Sequence, residues 1–488
     1  MTNKTFSILD ENKIKKTYYS DLPELSPFDI GIPLLDISDS TIEEIYYYRW
    51  HSYCNQIKPT ENGYVVTEFL PEVPWAGKYN TIPCAAGHHF YEGRWLHNQE
   101  YINSYAKFWF SPDSNLRKYS GWIANALLSV AKITGDFSNV ELLYEDLKQN
   151  FKSWQEEKQT ENGLFYQTDN FDGMEFSAGG SGLRPTINSY MYGELLALYE
   201  IAKLLNKNDQ AKEFLSKAEE LKERINSMLW DDDAEFYKTL DPESKKLVSV
   251  REFMGYVPWY FNLPSEEKTV AWKFLNDKNY FYAPFGPTTT EQNHPDFMKP
   301  FDHECLWNGP SWPFATSQTL TALGNLLCNY EQSVMQKKDY YNLLHLYANS
   351  QYLNENGNKT PFIDENLDPF TGEWIARNLL KVTNKPDKGP IDRGRHYNHS
   401  TFCDLVLSGL AGVRGCENDK IIINPLFDEE NLSFLCVDGI KYHGNNLCIV
   451  WDKTGERYGI GKGFKVLVNS EIVFSSQKLC KFAYEFNN

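Results

Sequence analysis

Three carboxylates precede a helix in the stretch DNFDGMEFSAGGSGLRPTINSYMYGE, which runs from 169 to 194. Asp169, Asp172 and Glu175 lie in a glycine-containing loop, and a proline then opens a long, nearly apolar helix. Acidic loops are most often solvated turns. A carboxylate at the rim of a buried helix is also well placed for general acid or general base catalysis.

Three other loop stretches combine acids, aromatic rings and basic groups in the same way. These stretches are 282–320 (with Asp302, Glu304, Trp307, Trp312 and Phe314), 360–377 (with Asp364, Glu365, Asp368 and Glu373) and 389–410 (with Arg393, Arg395, His396, His399 and Asp404). Hydrolysis of a glycosidic bond needs one protonated and one ionised carboxyl group. Acidic loops that are far apart in the sequence but meet on one face of a helical scaffold satisfy that requirement.

Metal binding is the competing use of such acids and histidines. The sequence contains no HExxH motif and no EF-hand spacing, and His396 and His399 lie on either side of a predicted helix start. The nine cysteines are scattered and form no CxxC pair, which argues against a zinc site or a disulfide framework. We therefore predict no metal and no cofactor, with buried thiols typical of a reducing, cytoplasmic compartment.

The overall composition excludes several classes of partner. A formal net charge of −18 argues against nucleic acid and anionic membrane surfaces, which both need a basic footprint. No apolar run of about 18 residues occurs, and the N-terminus lacks the apolar core of a signal peptide. Aromatic residues make up 15% of the chain, and flat rings can cover the apolar face of a sugar.

The spacing of apolar residues predicts a helical body with a small β-domain. Helices are expected at 41–57, 98–110, 117–135, 138–157, 184–207, 208–230, 264–276, 308–328, 335–352 and 398–412. The long stretches between them are expected to be irregular loops: 70–97, 160–185, 277–307 and 354–397. We predict three units: an N-terminal extension (1–40), a ring of helical hairpins whose loops gather on one face (41–412), and antiparallel strands (413–488).

Four motifs then occur in a characteristic order: RPTINSYMYGE, APFGPTTTEQ, LWNGPSWPFATSQTL and ENLDPFTGE. In that order they resemble the inverting (α/α)6-toroid glycosidases, which include trehalase-like enzymes and glycoside hydrolase family 63. The branch most similar is that of the bacterial mannosylglycerate and glucosylglycerate hydrolases. The resemblance runs from about 41 to 470. It implies a mainly α toroid, no cofactor, and inverting hydrolysis of a small carbohydrate with an α-linked glucose or mannose.

The resemblance also implies roles for particular residues. It makes Asp172 the general acid and Glu365 the general base. The text FDGMEFSAGGSG departs from the usual family pattern around the acid, so Asp169 and Glu175 stay open as alternatives. Asp302 and Glu304 are reserve acids because they adjoin Trp307.

A larger set is expected to contact the sugar. These residues are Tyr79, His88, Glu92, Arg94, Trp95, Arg184, Trp307, Trp312, Arg395 and His399. Structural salt bridges are the alternative reading of the arginines and histidines after 389, and Glu194 reads as a satisfied buried carboxylate. Two other functions stay open: a disaccharide phosphorylase, and a sugar-binding protein without catalysis.

Overall fold

The computed structural model describes residues 7–19, 27–383, 388–416 and 418–486. Within these ranges the chain is mainly helical and carries several small antiparallel sheets. The α-helices are α1 (Glu11–Tyr18), α2 (Pro27–Ile30), α3 (Ser40–Asn55), α4 (Pro83–Gly93), α5 (Glu100–Phe108), α6 (Ile123–Thr134), α7 (Ser138–Leu142), α8 (Tyr144–Lys158), α9 (Pro185–Leu204), α10 (Asn208–Met228), α11 (Val257–Tyr260), α12 (Pro313–Asn329), α13 (Lys337–Ser350) and α14 (Ile375–Thr383). None of the helices described is both long and apolar enough to cross a bilayer.

Other helical turns and the strands complete the secondary structure. The 3-10 turns are Asn170–Asp172, Phe253–Tyr256 and Glu266–Phe274, and a π-helical segment spans Leu405–Leu410. The strands are β1 (Leu34–Ile37), β2 (Ile57–Thr60), β3 (Gly63–Val66), β4 (Trp230–Asp231), β5 (Phe236–Tyr237), β6 (Leu240–Asp241), β7 (Lys246–Leu247), β8 (Tyr352–Glu355), β9 (Asn358–Pro361), β10 (Val413–Gly415), β11 (Lys420–Ile423), β12 (Phe434–Tyr442), β13 (Asn445–Asp452), β14 (Gly463–Val468), β15 (Glu471–Ser476) and β16 (Phe482–Glu485).

Two of the stretches expected to be irregular contain regular structure. Helix α4 lies inside 70–97, and β9 with α14 lie inside 354–397. Helix α4 begins at a proline and is buried on nearly every side, so it has no polar face to reveal its period. The expected helix at 264–276 is a 3-10 segment, and that at 398–412 is reduced to the π-helical segment.

A series of helices is linked by successive contacts. Helix α4 contacts α6, α6 contacts α9, α9 contacts α11, α11 contacts α12, and α12 contacts the π-helical segment. The π-helical segment is joined back to α4 through Glu92, described below. The N-termini of α4, α9 and α12 each begin with proline, whose missing N–H costs nothing at a first helical turn. The loops that precede these N-termini carry the candidate site.

The largest sheet combines strands from both ends of the chain. Its order is β1-β12-β13-β14-β15, and all neighbours are antiparallel. Strand β1 pairs with β12 in the register Leu34↔Asp438. A second sheet has the order β10-β11-β16. Part of the segment expected to be an N-terminal extension is therefore an edge strand of the C-terminal sheet.

Glu92, at the C-terminal end of α4, satisfies the N-terminus of the π-helical segment. Its carboxylate accepts from the backbone N–H groups of Phe402 (3.1 Å), Cys403 (2.9 Å) and Asp404 (2.8 Å). These are the orphan donors that every helix start leaves open. Glu92 is 1% exposed, so no water replaces it.

We expect Glu92→Leu to lower the free energy of unfolding by roughly 3 kcal/mol, because it leaves buried N–H groups without an acceptor. Glu92→Gln keeps one acceptor oxygen and is expected to cost less. Glu213→Gln, which affects only an exposed pair with Lys217, is the control and is expected to be nearly neutral. Urea unfolding of the three variants measures these differences, and equal stability of Glu92→Leu and the native chain would contradict the capping role.

Candidate active site

A cavity of about 260 Å³ opens where the loops before α4, α9 and α12 meet the segment after β9. Its walls combine carboxylates, aromatic rings and a few cations. The lining residues are Glu68, Phe69, Trp75, Ile82, Cys84, Tyr119, Gly173, Glu175, His303, Glu304, Cys305, Trp307, Trp312, Glu365, Lys388, Arg393, Tyr397 and His399. A larger cavity of about 690 Å³ lies against α13, but its described walls include no carboxylate. The smaller cavity is therefore the candidate for acid–base chemistry.

Glu175 is the carboxylate of the first acidic loop that reaches this cavity. Its backbone carbonyl accepts from the N–H of Trp307 at 3.0 Å, which joins the loop before α9 to the loop before α12. Burial and the negative charge of Glu365 raise the pKa of Glu175 to about 7. A carboxyl group with that pKa holds a proton near neutral pH and can donate it.

His303 contacts Glu175 from the neighbouring loop. The backbone N–H of Cys305 donates to Nδ1 of His303 at 3.1 Å, and burial lowers the pKa of His303. The neutral ring therefore carries its proton on Nε2, which lies 3.4 Å from Oε2 of Glu175. His303 can therefore orient the Glu175 side chain by donating to it from Nε2, without accepting its proton.

Glu365 lies on another wall and is held by two groups. Arg393 Nη2 donates to Oε1 at 2.8 Å, and the Cys305 thiol donates to Oε2 at 2.8 Å. The backbone N–H of Glu365 donates in turn to Oδ1 of Asp364 at 2.7 Å. Burial and the charge of Glu365 raise the pKa of Asp364 to about 7. The guanidinium of Arg393 thus places a permanent positive charge beside Glu365.

The Cys305 thiol is close to both carboxyl groups. Its sulfur is within 4.8 Å of a Glu175 oxygen and 2.8 Å from Glu365 Oε2. Burial and the charge of Glu365 raise the pKa of Cys305 well above its usual value, which keeps the thiol protonated. The two carboxyl groups thus face a common space with different environments: one is raised in pKa, the other is paired with an arginine. Such a difference separates an acid from a base.

Asp172, which the resemblance implies as the acid, lies behind the cavity wall. It is 2% exposed, and Arg184 Nε donates to its Oδ2 at 2.7 Å. Arg184 also donates to Ser177 Oγ at 3.0 Å and to the carbonyl of Gly180. Since Arg184 contacts the loop on both sides of Phe176, the Asp172–Arg184 pair holds the loop that presents Glu175.

Further lining groups form a polar network. His399 Nδ1 pairs with Oε1 of Glu68 and contacts the hydroxyl of Tyr397. Within the ranges that the structure describes, Oε2 of Glu68 is buried and has no hydrogen-bond partner. Trp307 and Trp312 stack with ring centroids 4.3 Å apart. The cavity lining thus combines hydrogen-bond acceptors with flat apolar rings, which suits a sugar.

Several residues expected to contact the sugar lie outside the cavity. Tyr79 is bonded to Glu61 in an exposed group that also includes Lys78. His88 packs its ring against Trp122 and Phe314 behind the wall.

Other residues expected to contact the sugar make contacts away from the cavity. Arg94 and Trp95 donate to Oδ1 of Asp404 at 2.9 and 2.7 Å, near the capping carboxylate Glu92. Arg395 lies over the ring of Phe362. Of the expected sugar contacts, Trp307, Trp312 and His399 line the cavity.

Sequence reasoning did not identify several lining residues. These are Glu68, Trp75, Cys84, Tyr119, Cys305, Lys388 and Tyr397. Glu304, a reserve acid, does line the cavity and pairs with Lys388 at 3.0 Å. Burial would raise the pKa of Glu304, but the Lys388 contact holds it below the usual value.

Two groups of side chains bring metal-ligating atoms within 4.8 Å of one another: Glu68–Cys84–His399 and Glu175–His303–Cys305. In the second group, the proton on Nε2 of His303 occupies the position that a metal would need. In the first, Nδ1 of His399 is already engaged with Glu68 and Tyr397. Both groups are better explained as hydrogen-bonded supports of the cavity.

The chain is similar to a known family and to several known proteins. The family model "Mannosylglycerate hydrolase MGH1-like glycoside hydrolase domain" matches residues 78–400. A solved structure described as "Sialidase" is 36% identical with a TM-score of 0.90, and the match covers 98% of this chain and 45% of that one. An uncharacterized protein of Borreliella burgdorferi is 26% identical over 113 residues, which are 23% of this chain and 24% of that protein.

More distant structures share the fold. The glycoside hydrolase family 63 mannosylglycerate hydrolase from Thermus thermophilus, in complex with glucose, has a TM-score of 0.52 at 12% identity, covering 74% of this chain and 98% of that one. A family 78 rhamnosidase of Bacillus sp. GL1 has a TM-score of 0.55 at 12% identity, covering 88% of this chain and 41% of that one. This chain spans less than half the length of the sialidase chain and about a quarter of the Borreliella protein.

Proposed function

Because the chain belongs to the mannosylglycerate hydrolase MGH1-like glycoside hydrolase family, we propose that it hydrolyses an α-linked glucoside or mannoside with inversion at the anomeric carbon. The observation that carries the proposal is the pairing of Glu175, whose pKa is raised to about 7, with Glu365, which is held by Arg393. We further propose that the helices form an (α/α)6 toroid with the cavity at one mouth. The circuit of helix contacts supports this arrangement.

Glu175 is proposed as the general acid. It donates its proton to the glycosidic oxygen as the bond to the anomeric carbon breaks. The aromatic walls exclude water, so charge that develops on the sugar ring is stabilised by fixed groups in a region of low dielectric constant. The sequence resemblance implies Asp172 as the acid. In the present proposal Asp172 instead supports the loop that carries Glu175, through its buried pair with Arg184.

Glu365 is proposed as the general base. It takes a proton from a water molecule on the opposite face of the sugar, and the resulting hydroxide adds to the anomeric carbon. An inverting pair needs about 6.5–9.5 Å between carboxyl groups so that water fits between them, whereas a retaining pair needs about 5–5.5 Å. The Cys305 sulfur lies within 4.8 Å of a Glu175 oxygen and 2.8 Å from Glu365 Oε2, so both carboxyl groups reach the same part of the cavity.

The charges of the cavity favour a neutral sugar and water as the nucleophile. Its described lining has four carboxylates, and the two cations Lys388 and Arg393 are already paired with Glu304 and Glu365. A phosphorylase needs cations that are free to bind phosphate, and a sugar acid needs the same for its carboxylate. We therefore propose hydrolysis of a neutral glycosyl unit.

The activity is expected to fall as the pH rises through about 7. Glu175 must be protonated to act, and its pKa of about 7 sets the basic limb of kcat/KM. An α-glycosyl fluoride needs no proton on its leaving group, so its hydrolysis should lack this limb. Initial rates from pH 5 to 9, measured with an α-glycoside and with the α-glycosyl fluoride, test this expectation. The same loss of kcat/KM at high pH with both substrates would contradict the acid role of Glu175.

The same ionisation is expected to affect stability. The pKa of Glu175 is raised from 4.5 to about 7 on folding, so between these values the folded chain binds more protons than the unfolded chain. Stability contributed by this group is therefore lost as the pH rises through that window. Glu175→Gln removes the effect and is expected to unfold at a higher temperature than the native chain at pH 8 but not at pH 4.5. A stability difference that does not change with pH would contradict the raised pKa.

The activity itself is tested with a panel of α-glucosides, α-mannosides and the two corresponding fluorides, assayed with and without phosphate. Release of free sugar independent of phosphate supports the hydrolase. A strict need for phosphate would identify a phosphorylase, and binding without cleavage would identify a sugar-binding protein.

A further inference from the structure

Three exposed phenylalanines lie beside the residues that line the cavity. Phe171 is 43% exposed, and Phe176 and Phe301 are each 42% exposed. Phe171 lies 6.0 Å from the ring of Tyr119, which lines the cavity. Large apolar side chains grouped on a rim beside a polar cavity mark a contact surface for a ligand.

Two of these rings, Phe176 and Phe301, are linked to the proposed acid. Phe176 follows Glu175 in the chain and has a φ of +59°, a conformation that an aromatic residue rarely adopts. Its ring lies 5.1 Å from that of Phe301 and 5.0 Å from that of His303. Since Nε2 of His303 is 3.4 Å from Glu175, one continuous surface joins the Phe176–Phe301 pair to the acid carboxyl group.

The general acid fixes the side on which the leaving group lies. Glu175 must reach the glycosidic oxygen, so the part of the substrate beyond that oxygen extends along the wall that carries Glu175. The water and Glu365 occupy the opposite face of the cleaved sugar. The leaving group therefore meets Phe176 and Phe301 as it leaves the cavity.

We propose that Phe176 and Phe301 bind the leaving group and that this group is a pyranose ring, so that the substrate is a disaccharide or a longer saccharide. The inference rests on the proposed function. The C–H groups on one face of a pyranose pack against aromatic rings, whereas a small anionic leaving group needs a cation. The two cations of the described cavity lining are already paired: Lys388 with Glu304 at 3.0 Å, and Arg393 with Glu365 at 2.8 Å.

The test compares three substrates that share one donor sugar: an α-linked disaccharide, the α-glycoside of glyceric acid, and the α-glycosyl fluoride. Glucose and mannose series are both run. The variant is Phe301→Ala, because Phe301 is exposed and lies outside the acid–base pair. Phe370→Ala is the matched control, since Phe370 is 45% exposed and takes no part in this ring cluster.

We expect Phe301→Ala to lower kcat/KM for the disaccharide about 10-fold, mainly through KM, which corresponds to about 1.4 kcal/mol. The fluoride has no leaving sugar and should change less than 2-fold, as should every substrate with Phe370→Ala. Two results overturn the inference and leave the hydrolase intact: an equal loss on fluoride and disaccharide, or a native preference for the glyceric acid glycoside that Phe301→Ala does not alter. Failure of the native chain to hydrolyse either fluoride overturns the proposed function, and the inference with it.

Discussion

Glu175→Gln is expected to lower kcat/KM for an α-linked disaccharide by about 10²- to 10⁴-fold while leaving hydrolysis of the matching α-glycosyl fluoride nearly unchanged. Glutamine keeps the size of the side chain but has no proton to give to the glycosidic oxygen. Fluoride leaves without protonation, so its departure does not need the acid. Initial rates for both substrates at pH 6, with native and variant chains, measure the effect.

Asp172→Asn is the comparison that distinguishes the two acids of this loop. Asp172 accepts from Arg184, and Arg184 holds the loop on either side of Phe176. Loss of its charge should therefore weaken the loop and reduce hydrolysis of the disaccharide and the fluoride by similar factors. If instead Asp172→Asn spares the fluoride and Glu175→Gln does not, Asp172 is the acid and the present proposal is wrong on this point.

Glu365→Gln is expected to reduce hydrolysis of both substrates by about 10³-fold or more, since every substrate needs an activated water. The amide cannot take the proton, and it leaves the buried charge of Arg393 without its carboxylate partner. Sugar binding should be largely kept, so isothermal titration with the free donor sugar serves as the check on folding.

Glu304→Gln is the matched control for Glu365. Glu304 lines the same cavity and also lies 3.5 Å from Arg393, but it pairs with Lys388 at the edge of the site. Its replacement is expected to lower activity less than 10-fold. Two results would show that Glu365 is not the base. One is hydrolysis of the fluoride by Glu365→Gln at the native rate, and the other is a larger loss of activity in Glu304→Gln than in Glu365→Gln.

The long helices were predictable because their apolar residues recur at the helical period and their ends carry recognisable signals. Helix α9 follows this rule, with Pro185 at its start. Helix α4 does not, since it is packed on nearly every side and has no polar stripe. Pairing of β1 with β12 joins residues about 400 positions apart, and no local pattern in the sequence encodes such a contact.

The choice between Asp172 and Glu175 shows where sequence reasoning ends. The two residues are three positions apart in one loop. A 3-10 turn ends at Asp172, Gly173 follows with a φ of +77°, and Phe176 has a φ of +59°. These turns, together with the bond from Arg184 to Asp172, direct Asp172 into the protein interior and Glu175 toward the cavity. Side-chain direction in a loop depends on such tertiary contacts, which spacing alone does not reveal.

At Glu92 the sequence suggests a binding residue, whereas the structure has a helix cap. The text HHFYEGRW resembles a polar patch of a binding pocket, but it lies on α4, whose Cys84 lines the cavity. Eight residues of helix separate Cys84 from Glu92, about 12 Å along the axis at 1.5 Å per residue. The rise of the helix carries Glu92 away from the cavity and toward the backbone N–H groups that it caps.

The anomeric configuration of the first sugar released tests the central claim most directly. Hydrolysis of an α-linked disaccharide in D₂O is followed by ¹H NMR within the first minutes, before mutarotation mixes the anomers. If Glu175 and Glu365 act as acid and base on opposite faces, the β-anomer of the donor sugar appears first and the α-anomer grows in later. First appearance of the α-anomer would require a covalent, retaining mechanism and would contradict the account.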